Sequence, residues 1–137
     1  MAEESQVEES QEAVGSAFEL EYVTSAVGLA KDDNIGIQVV NDSGVAENVR
    51  VVVYKNTGAG AVTVADTSRV VVTPTWTWGM GLAVKDSADY WLRIQATSDA
   101  LVPKALFLHD EAGVWKTIES YRPGDFAVFS LTRKRLW

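Results

Sequence analysis

Tyr90-Trp91-Leu92-Arg93-Ile94-Gln95-Ala96 is the stretch that decides the fold. In an extended chain successive side chains point to opposite faces. Tyr90, Leu92 and Ile94 therefore share one face, and Trp91, Arg93 and Gln95 share the other. An apolar row backed by a more polar one is the period of a half-buried strand. The pattern repeats on either side of this segment. Val49, Val51 and Val53 alternate with Arg50, Val52 and Tyr54, and Ile35, Ile37 and Val39 line one face of residues 35–40. Further strands are expected at 18–29 (long and bent), 61–65 (an edge), 69–73, 75–84, 104–109, 114–118 and 126–132, all rich in residues that suit a pleated surface. No eleven-residue window carries the 3.6-residue apolar spacing of a helix.

Turn chemistry separates these segments: Asn41-Asp42-Ser43-Gly44, Asn56-Thr57-Gly58-Ala59-Gly60, Asp66-Thr67-Ser68, Lys85-Asp86-Ser87, Ser98-Asp99, Asp110-Glu111-Ala112-Gly113 and Arg122-Pro123-Gly124-Asp125. Pro123-Gly124 has the residues of a type II turn, in which glycine supplies the positive φ. Pro74 has no N–H for a ladder and marks an edge or a break. About nine or ten short strands punctuated this way predict an all-β fold. The expected architecture is a single antiparallel β-sandwich, immunoglobulin-like or jelly-roll-like, over residues 17–137, with a closed or partly closed barrel second.

The chain has 137 residues, one domain's worth, with 19 acidic and 12 basic side chains and a net charge of -7. The charge is unevenly placed. Residues 1–16 hold Glu3, Glu4, Glu8, Glu9 and Glu12 and no basic residue, leaving -2 of the -7 for residues 17–137. Without aromatics or an apolar stripe, residues 1–16 read as a disordered, flexible acidic arm. Arg133, Lys134 and Arg135 place a basic run near the other end. A nearly neutral body without a basic face makes nucleic acid an unlikely partner. No signal peptide or membrane span is expected, so the expected location is cytoplasmic. With no cysteine, disulfides, thiolate catalysis and thiolate-bound metals are excluded. A single histidine argues against most zinc sites, and neither metal nor cofactor is expected.

Five tryptophans are unusual for this length. Trp76 and Trp78 would share a strand face beside Gly79-Met80-Gly81, where an indole platform could stack on a sugar ring, receive a protein, or simply cover the core. Trp91 faces away from Tyr90 and Leu92 and, on the outer face, suggests a subunit contact. His109-Asp110-Glu111 alone looks like acid–base chemistry, although Asp110-Glu111-Ala112-Gly113 also has hairpin-turn composition. There is no Gly-x-Ser-x-Gly elbow for a triad. Asp32-Asp33-Asn34 and Asp86-Ser87-Ala88-Asp89 are oxygen-rich in the manner of calcium loops, but turns use the same residues and no EF-hand loop is present. Gly79-Met80-Gly81 and Gly58-Ala59-Gly60 lack the context of nucleotide loops and are expected to be turns or bulges.

The succession Val51-Val52-Val53-Tyr54, Tyr90-Trp91-Leu92-Arg93-Ile94 and Leu101-Val102-Pro103 resembles the small β-sandwich proteins of the sensory rhodopsin transducer type, over residues 35–110. The resemblance implies a cytoplasmic, oligomeric sandwich that acts as an adaptor, and it carries over no functional residue. Trp76-Thr77-Trp78, the acidic arm and the basic end depart from it. The expected function is thus a non-enzymatic module for protein–protein interaction or self-assembly, partnered by a protein or by itself. The alternative is a carbohydrate-binding module that uses Trp76, Trp78 and Trp91. A hydrolase built on His109 is a third reading, with no catalytic residue assigned.

Overall fold

The structure, a computed structural model, describes residues 17–131. The acidic segment 1–16, the basic run at 133–135 and the end of the last expected strand lie outside them. Eleven strands are present among the described residues: β1 (Leu20–Val23), β2 (Val27–Leu29), β3 (Asn34–Asn41), β4 (Glu47–Asn56), β5 (Ala61–Asp66), β6 (Val70–Val72), β7 (Thr77–Ala83), β8 (Ala88–Ala96), β9 (Leu101–Glu111), β10 (Val114–Tyr121) and β11 (Ala127–Ser130). They form two antiparallel sheets, a β-sandwich-like fold, rather than a closed barrel. One sheet runs β10-β9-β3-β7. The other runs β11-β1-β8-β4-β5, with β2 continuing β1 alongside β8, and β6 beside β4.

The alternation in the sequence becomes the core. Tyr90, Leu92 and Ile94 point inward from β8, and Val49, Val51 and Val53 from β4. They meet Ile35, Ile37 and Val39 of β3 and Leu101, Ala105 and Phe107 of β9 across the sandwich. Burying side chains of this size stabilises by about 1.5–3 kcal/mol each. One buried polar residue ties the sheets together. Asn41, at the end of β3, donates from Nδ2 to the Val72 carbonyl on β6 at 2.9 Å and to that of Val45 at 2.8 Å. Its Oδ1 accepts from the Ser43 hydroxyl at 2.7 Å and the Ser43 N–H at 3.1 Å, so the buried amide is satisfied.

Several local expectations change. Residues 18–29 are two short strands, interrupted where the Thr24 hydroxyl accepts the Leu92 N–H at 3.1 Å in place of a ladder carbonyl. Gly79-Met80-Gly81 is no turn. It lies inside β7, with Gly81 opposite Gly36 and Gly79 opposite Gln38. The Val102-Pro103 step lies within β9, with Pro103 opposite Val39. Proline is tolerated there because β10 reaches only to Ala105, so no strand waits for its missing N–H on that side. Pro123-Gly124 opens a 3₁₀ turn, Pro123–Asp125, and Gly124 is not among the positive-φ residues. Asp125 closes that turn by accepting the Arg122 N–H at 2.9 Å.

Candidate functional site

Three places carry the side chains singled out in the sequence. The first is a groove of about 300 Å³ at the rim between β6 and β7, lined by Val71, Val72, Thr73, Trp76, Thr77 and Trp78. Trp76 and Trp78 do share it, but not as neighbours on one strand face. Trp76 precedes β7 and is 65% exposed, whereas Trp78 is partly buried against the core. The difference comes from Thr75, whose φ of +64 turns the chain out of strand geometry. A β-branched residue rarely adopts that conformation, and such strain costs on the order of 1–3 kcal/mol. Two backbone bonds hold it: the Thr75 N–H donates to the Asn41 carbonyl at 3.0 Å, and the Trp76 carbonyl accepts from the Asn41 N–H at 2.9 Å.

Trp91 lies elsewhere, on the outer face of the larger sheet. There it stacks on Tyr54 with ring centroids 5.5 Å apart and planes 19° from parallel. The Arg93 guanidinium sits 5.5 Å from the other partner's ring centre, over Tyr54. Tyr54 and Trp91 are direct cross-strand partners, so one face of the indole is covered within the chain.

The third place joins two segments that the sequence kept apart. His109 Nδ1 lies 2.6 Å from Asp33 Oδ1, across 76 residues of sequence. The Asp33 side chain is 4% exposed and that of His109 is 46% exposed. Asp33 Oδ2 accepts the Ala30 N–H at 2.8 Å, which closes the β2–β3 turn with Asp32 at a φ of +75. The Asp33 backbone carbonyl accepts the Val84 N–H just beyond β7 at 2.8 Å. Asp33 is thus a buried acceptor at the junction of β2, β3, β7 and β9, and His109 covers it. The pair orients an imidazole with Nε2 facing outward, the geometry of a dyad without a nucleophile. Among the described residues no serine or threonine hydroxyl bonds the ring.

The other members of these clusters are engaged in local structure. β9 runs through His109 to Glu111, and the connecting loop is only Ala112-Gly113, with φ of +55 and +86. Asp110 accepts the Gly113 N–H at 2.9 Å, and Glu111 pairs with Lys116 at 2.6 Å. Asp86 pairs with Lys55 at 2.6 Å, and its carbonyl accepts the Tyr90 hydroxyl at 2.6 Å. Bonds to the Arg50 guanidinium and the Ser68 N–H hold the Asp66 carboxyl down at about 2. No group of three or more His, Asp or Glu side chains among the described residues converges as a metal site would require.

Sequence reasoning missed the apolar side chains at the edges. Val114, Trp115 and Ile118 on β10 and Val128, Phe129 and Leu131 on or beside β11 are all exposed. β10 and β11 are the outermost strands of the two sheets, joined by the short Pro123–Asp125 turn, so they border the same side of the sandwich. β10 mixes apolar and polar residues on both of its faces, so its alternation marks no buried side.

No family model and no curated protein matches the chain. Among solved structures it is similar to the crystal structure of Thermotoga maritima 1070, at a TM-score of 0.56 and 8% identity, covering 80% of this chain and 94% of that one. At that identity the likeness speaks to the fold alone.

Proposed function

We propose that the chain is a non-enzymatic β-sandwich module that associates with a protein partner or with itself. The observation that carries this is the row of exposed apolar side chains on β10 and β11, with Trp115 50% and Phe129 53% exposed. Exposed apolar surface of this kind on a small domain is typical of association sites. The resemblance to transducer-type sandwich adaptors points the same way. Light scattering over a concentration series, with pull-downs that compare the wild type and Trp115→Lys, tests the proposal. Self-association, or a captured protein lost in the variant, supports it. A strict monomer whose captured proteins do not depend on Trp115 or Phe129 overturns it.

Carbohydrate binding is the competing function, favoured by one observation: strained Thr75 presents Trp76 beside Trp78 in a groove of about 300 Å³. Titration of oligosaccharides followed by tryptophan fluorescence tests it. A saturable change absent in Trp76→Phe supports it, and no change with any oligosaccharide removes it. Trp91, stacked on Tyr54, lies outside that groove.

A further inference from the structure

We infer that the open edge of β7 receives an extended segment of another protein, one with two apolar side chains four residues apart and an acidic residue beyond one of them. The inference rests on the association proposed above and adds a second surface, on the side of the sandwich away from β10 and β11. Among the described residues β7 pairs with β3 alone. Exposed edges are normally blunted by charges, proline or bulges. β7 has none of these devices: Thr77–Ala83 is uncharged and follows β3 in unbroken register.

The ladder to β3 fixes which backbone groups of β7 face out. At one end the Asn41 N–H donates to the Trp76 carbonyl at 2.9 Å, and at the other the Val84 N–H donates to the Asp33 carbonyl at 2.8 Å. The even-numbered residues between them therefore bond β3, and Thr77, Gly79, Gly81 and Ala83 direct their N–H and carbonyl groups to the open edge. A groove lies at each end of that edge, and each is walled by both sheets. The first, of about 300 Å³, sets Trp76 and Trp78 against Val71 and Val72. The second, of about 190 Å³, sets Leu82 and Ala83 against Val64, Lys55 and Tyr90. Trp76, Val71 and Val64 are exposed on these walls. Trp78 and Leu82 share the core-facing side of β7, four residues and about 13 Å apart along the strand. A chain laid along the edge therefore sets residues i and i+4 into the two grooves while its backbone pairs with β7. Main-chain bonds with pockets for same-face side chains are the parts of strand-addition recognition.

Charge selects the occupant. Lys55 is committed to Asp86 at 2.6 Å, and Lys85, exposed beside it, makes no ion pair among the described residues. An acidic residue on the incoming segment supplies the missing carboxylate at that end, whereas the Trp76 groove is lined by uncharged residues only. A second copy that paired through its own β7 about a two-fold axis would bring no carboxylate to Lys85, because that strand is uncharged.

A phage-displayed library of random peptides, selected on the full chain, supplies the probe, and fluorescence anisotropy of the enriched peptides measures Kd. Enriched sequences are expected to carry two apolar residues four apart and an Asp or Glu beyond one of them. Gly81→Pro removes an outward N–H without touching the ladder to β3, and is expected to weaken their binding about tenfold with an unchanged thermal melt. Lys85→Glu, at an exposed position, tests the same edge whether or not the proline is tolerated. It is expected to weaken the acidic peptides several-fold and to favour versions that carry Lys in place of the acid. A library that yields no binder overturns the inference while leaving association at β10 and β11 to the pull-down with Trp115→Lys. Binders indifferent to both variants overturn it. Self-association of the chain that is lost in Gly81→Pro overturns it too, by assigning the edge to a second copy.

Discussion

Removing either member of the Asp33–His109 pair separates a structural role from a chemical one. Asp33→Ala deletes the acceptor of the Ala30 N–H, bonded at 2.8 Å, and the partner of His109 at 2.6 Å. Hydrogen bonds to a charged group contribute about 1.5–3 kcal/mol net, and an orphaned buried donor adds its own desolvation cost. The expected loss for Asp33→Ala is about 2–4 kcal/mol. His109 is different because its side chain is 46% exposed. Its removal lets water reach the Asp33 carboxylate, so His109→Ala should cost only about 1 kcal/mol. Asp33→Asn keeps an oxygen for the Ala30 N–H and a donor for the imidazole, and should fall below Asp33→Ala. Urea unfolding at pH 7, followed by circular dichroism, gives all three values and the coupling in the double variant. Coupling near 1 kcal/mol is expected for residues in direct contact. Additive losses, or a His109→Ala cost equal to that of Asp33→Ala, would refute the arrangement in which His109 covers a carboxylate held mainly by the backbone.

Other consequences are as direct. Ala112 holds a left-handed φ of +55 in the two-residue turn before Gly113, so Ala112→Gly should raise stability by about 1 kcal/mol in the same unfolding assay. The Asp66 carboxyl, held at about 2 by Arg50 and Ser68 against an ordinary 3.8, stabilises the folded chain above pH 4 and loses that contribution as the pH falls toward 2. Thermal melts should therefore place Asp66→Asn below the wild type at pH 6 and bring the two together near pH 2. In a Trp137→Phe background, acrylamide should quench Trp76 and Trp115 readily and Trp78 and Trp91 poorly. Adding Trp76→Phe and Trp115→Phe should remove most of the quenchable emission.

The strands were legible because their signal is local. Alternation in residues 90–96 and 49–55 states which face is buried, and the core follows it residue by residue. What was illegible depends on partners remote in the chain. The glycines of Gly79-Met80-Gly81 carry a turn signal, yet pairing along β3 draws them into the middle of β7. Trp76 and Trp78 have the spacing of one strand face, yet the Asn41 backbone bonds hold the chain at Thr75 and set Trp76 outside the strand. In the sequence His109 sits beside Asp110 and Glu111, and its actual partner, Asp33, lies in a separate loop. No spacing rule links residues 76 positions apart. The antiparallel arrangement links them, because β9 returns along β3 until Leu108 meets Asn34.

The distribution of satisfied and unsatisfied groups weighs association against chemistry. Each polar group that suggested a reaction is taken up by a structural partner: Asp33 by Ala30 and His109, Asp110 by Gly113, Glu111 by Lys116, and Asp86 by Lys55 and Tyr90. Catalysis needs polar groups converging on a cleft with their hydrogen-bonding capacity still available to a substrate. The carboxylates of these clusters are engaged in turns and ion pairs, while His109 keeps Nε2 outside its bond to Asp33. Large apolar side chains nevertheless stay exposed, among them Val114 and Trp115 on β10, Phe129 on β11, and Trp76 at the opposite rim. Water gains when such groups are covered, and covering them requires shape and apolar contact rather than a reacting atom.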